Sequence, residues 1–107
     1  MFARNVSMRL KPNCLPEFTQ TVEKEVIPFL RKQKGFQDEI TFAPIPGETD
    51  VMAISLWDNK ENADAYSRAG YPEVLKTLGK VLDGTPTVRY SEVVNSTSHK
   101  IAAHVTA

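Results

Sequence analysis

The sequence has few of the residues from which disulfides, metal sites and phosphate-binding loops are built. Its single cysteine, Cys14, cannot form an internal disulfide, which agrees with a reducing compartment. Its two histidines, His99 and His104, have no carboxylate or cysteine at ligand spacing, so we expect solvated histidines and no metal site. Gly47 and Gly84 stand alone in turns, which excludes a glycine-rich phosphate loop.

The sequence also has no net charge and no long apolar run. Thirteen basic residues balance thirteen acidic ones, so nothing attracts this surface to nucleic acid or to anionic lipid. No segment is apolar over the length that a bilayer requires. The amino terminus lacks the basic and then apolar order of a secretory signal. We therefore expect a cytoplasmic protein with neither a nucleic-acid nor a membrane partner.

Hydrophobic periodicity predicts four strands and two helical regions in this 107-residue chain. In the first strand, Val6 and Met8 alternate with Asn5 and Ser7. The other strands and the helices follow from the same alternation and from apolar residues at helical spacing. The predicted strands are residues 2–10, 36–43, 51–57 and 87–94, and the predicted helical regions are residues 15–30 and 58–82.

Local signals mark where the helices begin and bend. Asp58, followed three residues later by Glu61, forms the pattern of a capping box, and both charges suit the amino end of a helix. Pro28 lies inside the first helical stripe, where its ring clashes with a carbonyl one turn back. We therefore expect the first helix to bend or to begin again at Pro28. Gly70 and Pro72 interrupt the second helical region.

The order strand, helix, strand, strand, helix, strand predicts an α+β ferredoxin-like fold. Two right-handed crossovers place both helices on one side of a four-stranded antiparallel sheet. We expect this domain to comprise residues 1–95. Residues 96–107 have no clear period and are predicted to form a loose tail or an arm on a partner.

The two sheet faces predict self-association. We expect one face to carry Met8, Leu10, Ile40, Phe42, Ile54 and Leu56, and the other to carry Ala3, Val51, Ala53 and Trp57. Two helices cover only one face of such a sheet, and neither face suits water. A homodimer closed by sheet-to-sheet packing follows. The alternative is a monomer whose smaller-residue face is solvated.

A pocket is predicted between small polar strand residues and the second helical region. Small side chains opposite a helix leave volume, and an aromatic wall with a few polar groups is typical of a small-molecule site. The alternative is that Trp57 closes the sheet end, Tyr66 is a half-buried helix residue and Asn5 bonds to a neighbouring backbone group. The candidate site residues are Asn5, Ser7, Ser55, Trp57, Tyr66 and Arg68.

Four segments carry a resemblance to a known family. They span about nine-tenths of the chain. They are FARNVSMRL, PFLRKQKGF, SLWDNKENADAY and TPTVRYSEVV. Through them the chain resembles the antibiotic biosynthesis monooxygenase domains, which are small dimeric α/β barrels. The family includes cofactor-free oxygenases of aromatic quinols, haem-degrading enzymes and members without known activity, and none of the four segments is a catalytic signature.

The resemblance implies different chemistry in its two best-defined branches. The haem-degrading branch uses an asparagine, a tryptophan and an iron-ligating histidine, and the positions here hold Asn5, Tyr66 and Lys76. A protonated lysine has no lone pair for iron, which argues against haem degradation. In the cofactor-free branch, Asn5 or Tyr66 would hydrogen-bond a substrate phenolate while Trp57 excludes water.

Two functions from different classes remain open. The first is a dimeric monooxygenase that needs no cofactor and oxidises a quinol-like or polyketide-like aromatic with molecular oxygen. Its predicted catalytic residues are Asn5, Tyr66 and Trp57, and its predicted substrate-binding residues are Ser7, Ser55 and Arg68. The second is a dimer that binds a small molecule or is purely structural, which the absence of an identifiable general base favours.

Overall fold

Four strands pair into an antiparallel sheet in the order β2-β3-β1-β4. The computed structural model describes residues 1–101. The strands are β1 (Phe2–Arg9), β2 (Phe36–Phe42), β3 (Asp50–Trp57) and β4 (Thr87–Glu92). This order is the one that two crossovers produce, so the predicted α+β ferredoxin-like fold is confirmed. The sheet is open within one chain, with β2 and β4 as its edges.

The first crossover is one long helix with a widened turn in its middle. Its parts are α1 (Leu15–Thr21), a π-helical turn (Val22–Val26) and α2 (Ile27–Arg31). The Ile27 N–H donates to the Val22 carbonyl, five residues earlier. A wider turn relieves Pro28, which has no N–H and whose ring would press on the Lys24 carbonyl in a regular helix. The interruption predicted at Pro28 is therefore present.

The second crossover consists of α3 (Lys60–Ala69) and α4 (Tyr71–Leu78), which are separated at Gly70. The predicted cap at Asp58 is wrong by one residue. Asn59 is the cap, and its side chain accepts the Asn62 N–H at 2.9 Å. Asp58 instead donates its N–H to the Gly35 carbonyl at 2.9 Å, while its carboxylate accepts from Asn62 Nδ2 at 2.8 Å. Asp58 thus connects the start of α3 to the end of the first crossover.

None of the helices in residues 1–101 has the length and apolar character that a bilayer crossing needs.

The predicted composition of the two sheet faces is wrong. The alternation within each strand holds, but the register pairs Phe2 with Trp57 and Met8 with Val51. Directly paired residues of antiparallel strands point to the same side, so Met8 lies with Trp57 and not with Ile54. The face under the helices, called the covered face, carries Phe2, Arg4, Val6, Met8, Val51, Ala53, Ser55 and Trp57.

The opposite face, called the open face, is apolar on one half and polar on the other. On the β2 and β3 half, Ile40, Phe42 and Met52 are 47%, 49% and 41% exposed. Ile54 and Leu56 lie beside them, as their pairing with Ile40 and Asp38 requires. The β1 and β4 half presents the small or polar side chains of Ala3, Asn5, Ser7, Thr87, Arg89 and Ser91.

The end of the chain after β4 returns to the sheet. His99 Nε2 lies 3.1 Å from Asp38 Oδ2, and the His99 side chain is 20% exposed. The prediction of a solvated His99 is therefore wrong. Residues 102–107, which include His104 and the end of the predicted tail, lie outside the described residues.

Gly70→Ala is expected to lower the free energy of unfolding by about 1–3 kcal/mol through overpacking. A Cβ at Gly70 would lie 2.7 Å from Cδ1 of the Tyr66 ring. Gly79→Ala is the matched control, because a Cβ there meets nothing closer than 3.4 Å, and it is expected to be neutral or to stabilise by about 0.4–1 kcal/mol. Urea unfolding measures both variants, and a Gly70→Ala protein as stable as the wild type would contradict this packing of Tyr66.

Candidate functional site

A row of polar side chains crosses all four strands on the covered face. Arg4 pairs with Ser55 of β3 and with Tyr90 of β4, and Ser55 pairs in turn with Glu39 of β2. Paired residues share a side, so the four side chains form one line under the helices. This line, Glu39, Ser55, Arg4 and Tyr90, is called the polar row.

A cavity of about 50 Å³ lies between the polar row and the helices. The next row of the sheet consists of Thr41, Ala53, Val6 and Val88, whose small side chains leave room. Tyr66 of α3 and Tyr71 at the start of α4 line the cavity from above. The cavity wall is therefore mostly apolar, with Arg4, Glu39 and Ser55 of the polar row at its sheet side and the two tyrosines at its helix side.

Arg4 is a buried cation with no counter-ion among residues 1–101. It is 2% exposed, and among residues 1–101 no carboxylate forms an ion pair with it. Its guanidinium carbon lies 4.4 Å from the centre of the Tyr71 ring, 5.0 Å from that of Tyr66 and 5.9 Å from that of Tyr90. Aromatic faces attract a cation, so these rings compensate part of the cost of its burial. Within the described residues its Nε has no hydrogen-bond partner.

The three tyrosines around Arg4 are held in different electrostatic states. Burial raises the pKa of Tyr66 to about 12, although the Arg4 charge opposes this shift. Burial likewise raises the pKa of Tyr71, whose buried hydroxyl has no partner within residues 1–101. A hydrogen bond with Ser67, assisted by a hydrogen bond and the charge of Arg4, lowers the pKa of Tyr90. Tyr66 and Tyr71 therefore stay neutral donors throughout the physiological range.

Glu39 supplies a carboxyl at the other end of the polar row. Its burial raises its pKa, and the neighbouring Asp38 charge acts in the same direction, while a hydrogen bond from Thr41 opposes them. Thr41 Oγ1 donates to Glu39 Oε2 at 2.5 Å. Carboxyls whose pKa is raised toward neutrality are the better proton acceptors in catalysis. Glu39 is therefore a candidate proton acceptor that sequence patterns did not identify.

Trp57 supports the site from behind. It is fully buried, and its indole N–H donates to Ser55 Oγ at 2.9 Å. Its ring stacks on Tyr66 with centroids 4.8 Å apart and meets Phe36 edge-on at 5.6 Å. Trp57 does not itself line the cavity. It fixes the Ser55 hydroxyl and the Tyr66 ring, which do.

An open groove of about 580 Å³ runs between the first crossover and the β2 edge. Its floor and sides include Leu15, Ile27 and Arg31. The groove and the cavity share four lining residues, so the two spaces adjoin. The shared residues are Phe18, Val22, Glu39 and Thr41.

The structure brings together three of the six predicted site residues. Ser55 and Tyr66 line the cavity, and Trp57 contacts both. Asn5 and Ser7, predicted on the same face as Ser55, lie on the open face because Asn5 pairs with Ile54. Asn5 Nδ2 donates there to Ser91 Oγ at 3.2 Å.

The sixth predicted residue, Arg68, is exposed on α3 and is not part of the cavity lining. Its side chain points away from the space that Tyr66, two residues earlier on the same helix, helps to line.

Three residues of the site were missed. Arg4 carried a signal in the sequence, because it occupies the same alternation phase as Phe2, Val6 and Met8 and is a charge on an otherwise apolar side. The signal for the other two was weaker. Glu39 reads as a solvent-facing strand residue, and Tyr71 adjoins the helix interruption.

Comparison with known proteins identifies the fold. No protein-family model matches the chain, and no curated protein matches it. Several solved structures match over most of the chain. The cofactor-independent oxygenase SnoaB of Streptomyces nogalater is 13% identical, with 92% of this chain and 97% of SnoaB covered and a TM-score of 0.71. The monooxygenase ActVA-Orf6 of Streptomyces coelicolor, in complex with nanaomycin D, is 17% identical over 89% of this chain and 88% of its own, with a TM-score of 0.73.

The third is the haem degrader MhuD of Mycobacterium tuberculosis, which is 17% identical over 91% of this chain and 99% of its own, with a TM-score of 0.73. This chain has the antibiotic biosynthesis monooxygenase domain fold. Identities this low establish a common fold, while ligand and reaction must be argued from the site.

The residues present do not fit a haem-degrading site. The resemblance places Lys76 where the haem-degrading branch has its iron-ligating histidine. In the structure the Lys76 side chain is 79% exposed and its Nζ lies 3.9 Å from Glu73 Oε2. Its ammonium offers no lone pair to iron. Within residues 1–101 no group of three or more His, Cys, Asp or Glu residues is arranged to hold a metal ion.

The three tyrosines are expected to ionise in a fixed order as the pH rises. Tyr90 should ionise first, below its usual value of 10.0, and Tyr66 last, near 12. Tyrosinate absorbance measures the order, with Tyr66→Phe removing the last step and Tyr90→Phe the first. A Tyr66 that ionises near 10.0 would be inconsistent with its burial beside Trp57.

Proposed function

We propose that this protein is a cofactor-independent monooxygenase that oxidises a small quinol-like or polyketide-like aromatic compound with molecular oxygen. The observation that carries the proposal is a cavity lined by Glu39, Ser55 and Tyr66. Glu39 supplies a carboxyl with a raised pKa, Ser55 a hydroxyl and Tyr66 a neutral phenol. Such a set can take a proton from a phenol and orient the anion that forms.

The reaction needs no electrons from outside the substrate. A phenol with a hydrogen ortho or para to its hydroxyl combines with O₂ to give a quinone and water, so one oxygen atom enters the ring and the other leaves as water. Glu39 accepts the phenolic proton, and the phenolate passes one electron to O₂. The resulting radical and superoxide join at that ortho or para carbon, and Glu39 returns the proton to the peroxide. Loss of water, with the ring hydrogen leaving as a proton, gives the quinone.

The remaining residues of the site would orient the substrate. The Tyr66 hydroxyl stays protonated, so it can donate to a phenolate oxygen. Ser55 Oγ already accepts from the Trp57 indole, which leaves its own hydrogen free to donate. Trp57 positions both groups through its contacts with them.

An aromatic ring requires more space than the cavity contains. Ligand sites for small organic molecules measure roughly 300–1,000 Å³, against about 50 Å³ here. The groove of about 580 Å³ behind Phe18 and Val22 provides that space if their side chains turn aside. Substrate would therefore lie across the present boundary between groove and cavity.

The small volume of the cavity also supports a second candidate function. In it, the protein is a dimer that binds a small molecule or is purely structural. The two candidates differ in oxygen consumption. Dihydroxynaphthalenes in an oxygen electrode would be oxidised by the first and left unchanged by the second.

We further propose that the protein is a homodimer closed through the open face. Ile40, Phe42 and Met52 form an exposed apolar group there, and two-fold packing of such groups would remove them from water. The alternative is a monomer in which this half of the face stays hydrated.

Light scattering after size exclusion should give twice the 12.0 kDa chain mass for the wild type. Ile40→Glu should give the monomer mass, because it buries a charge in the proposed interface. Ile45→Glu is the matched control, since Ile45 is 70% exposed in the loop between β2 and β3. A monomeric wild type, or a dimeric Ile40→Glu protein, would refute the proposed interface.

Glu39→Gln should lower oxygen consumption with a quinol substrate by about 10²–10⁴-fold, the usual contribution of a general base. In the wild type the rate should rise with pH through a pKa above the ordinary 4.5, because only the ionised carboxylate accepts a proton and its burial raises that pKa. This pH dependence should disappear in Glu39→Gln. Glu48→Gln, in the exposed β2–β3 loop, is the control that should keep wild-type rates. Equal rates in all three proteins would exclude the proposed role of Glu39.

A further inference from the structure

Two buried hydrogen-bond donors beside the cavity have no acceptor among residues 1–101. One is Nε of Arg4, a residue 2% exposed, and the other is the hydroxyl of Tyr71. Both residues line the cavity, and the Arg4 guanidinium lies over the Tyr71 ring at 4.4 Å. Buried donors nearly always have a partner in folded proteins. Two vacant donors in one small space therefore mark a position for an acceptor.

The charge around these donors specifies the kind of acceptor. Arg4 is surrounded by three tyrosine rings, and no carboxylate within residues 1–101 pairs with it. Tyr90 contributes its ring and a hydroxyl that takes a hydrogen bond from Arg4, but no carboxylate. A water molecule in the cavity would satisfy the donors without neutralising the cation. An anionic oxygen would do both.

We propose that the cavity recognises an aromatic ligand by an anionic oxygen, a carboxylate or phenolate, bound to Arg4 Nε and the Tyr71 hydroxyl. The proposal rests on the proposed function for the location of the site. It adds the chemical class of the ligand and two binding residues, and it does not require turnover.

The rest of the site is compatible with such a ligand. Glu39, the carboxyl that would repel an anion, lies two strands from Arg4 along the polar row, a separation of about 10 Å between backbones. A bicyclic aromatic ring extends over much of that separation. Its anionic group can therefore lie at Arg4 while a ring hydroxyl lies near Glu39, which is the pairing that the oxygenation needs.

The test compares two ligands with the same ring. 2-Naphthoate carries an anionic carboxylate at neutral pH, whereas 2-naphthol is neutral. Calorimetric titration of the wild type should show 2-naphthoate binding about tenfold or more tightly than 2-naphthol, the effect of one charge-assisted hydrogen bond. Arg4→Met should abolish this preference and leave 2-naphthol affinity nearly unchanged.

Two more variants keep the test decisive if Arg4→Met fails to fold. Tyr71→Phe removes only a hydroxyl and keeps the ring over Arg4, so it should reduce 2-naphthoate affinity several-fold and leave 2-naphthol affinity unchanged. Arg68→Met removes an exposed arginine of α3 and should change neither affinity. Circular dichroism confirms that each variant is folded.

Equal affinities for the two ligands in the wild type, no measurable binding of 2-naphthoate, or an unchanged preference in folded Tyr71→Phe would overturn the proposal. The outcome is separable from that of the oxygenase proposal. A preference for 2-naphthoate without oxygen consumption would retain the anion site and remove the catalytic function. Oxygen consumption without that preference would do the reverse.

Discussion

The pairing of Arg4 with Ser55 across the two central strands determines which side chains lie under the helices. Side chains alternate along a strand, so a shift of one residue in this register would turn every β1 side chain to the other face. Arg4 would then face outward and Asn5 would enter the cavity. The observed register does the opposite: it places a guanidinium, a hydroxyl and a carboxyl in one line beneath α3 and α4 and leaves Asn5 on the open face with Ser91.

Tyr66 is the main contact between the sheet residues of the site and the helices above them. Its ring contacts Trp57 at 4.8 Å and the Arg4 guanidinium at 5.0 Å, while Gly70 allows the next turn of backbone to approach the same ring. Aromatic stacking contributes roughly 0.5–1.5 kcal/mol, and a desolvated cation over an aromatic face about 2 kcal/mol. These contacts compensate part of the cost of burying a charge with which no carboxylate of residues 1–101 forms an ion pair.

The sequence was sufficient to predict the order of elements, the interruption at Pro28 and the membership of Ser55, Trp57 and Tyr66 in one cluster. Each of these depends on the spacing of residues within a short segment, which can be read directly from the sequence. The relative phase of β1 and β3 depends on which backbone hydrogen bonds form between strands far apart in the sequence, and no local pattern determines it. The predicted faces grouped Met8 with the bulky residues Ile54 and Leu56, which gave β1 the wrong phase relative to β3. That phase placed Asn5 and Ser7 in the site.

The misplaced phase also hid the residues that give the site its chemistry. Arg4 is conspicuous only when β1 is read as Phe2, Arg4, Val6 and Met8. Glu39 becomes a half-buried carboxyl on the covered face only when β2 is placed so that Glu39 pairs with Ser55. The choice of Asn59 over Asp58 as helix cap has a similar origin, since a tertiary hydrogen bond to Gly35 fixes Asp58. Burial and partners, which decide pKa and function, are properties of the assembled sheet.

The most direct measurement is a crystal structure of the protein grown without oxygen in the presence of 1,4-dihydroxy-2-naphthoate. The account predicts the carboxylate against Arg4 Nε and the Tyr71 hydroxyl, with the ring extending past Phe18 toward the groove. A ligand bound on the open face beside Asn5, or a cavity that stays closed at saturating ligand, would contradict it.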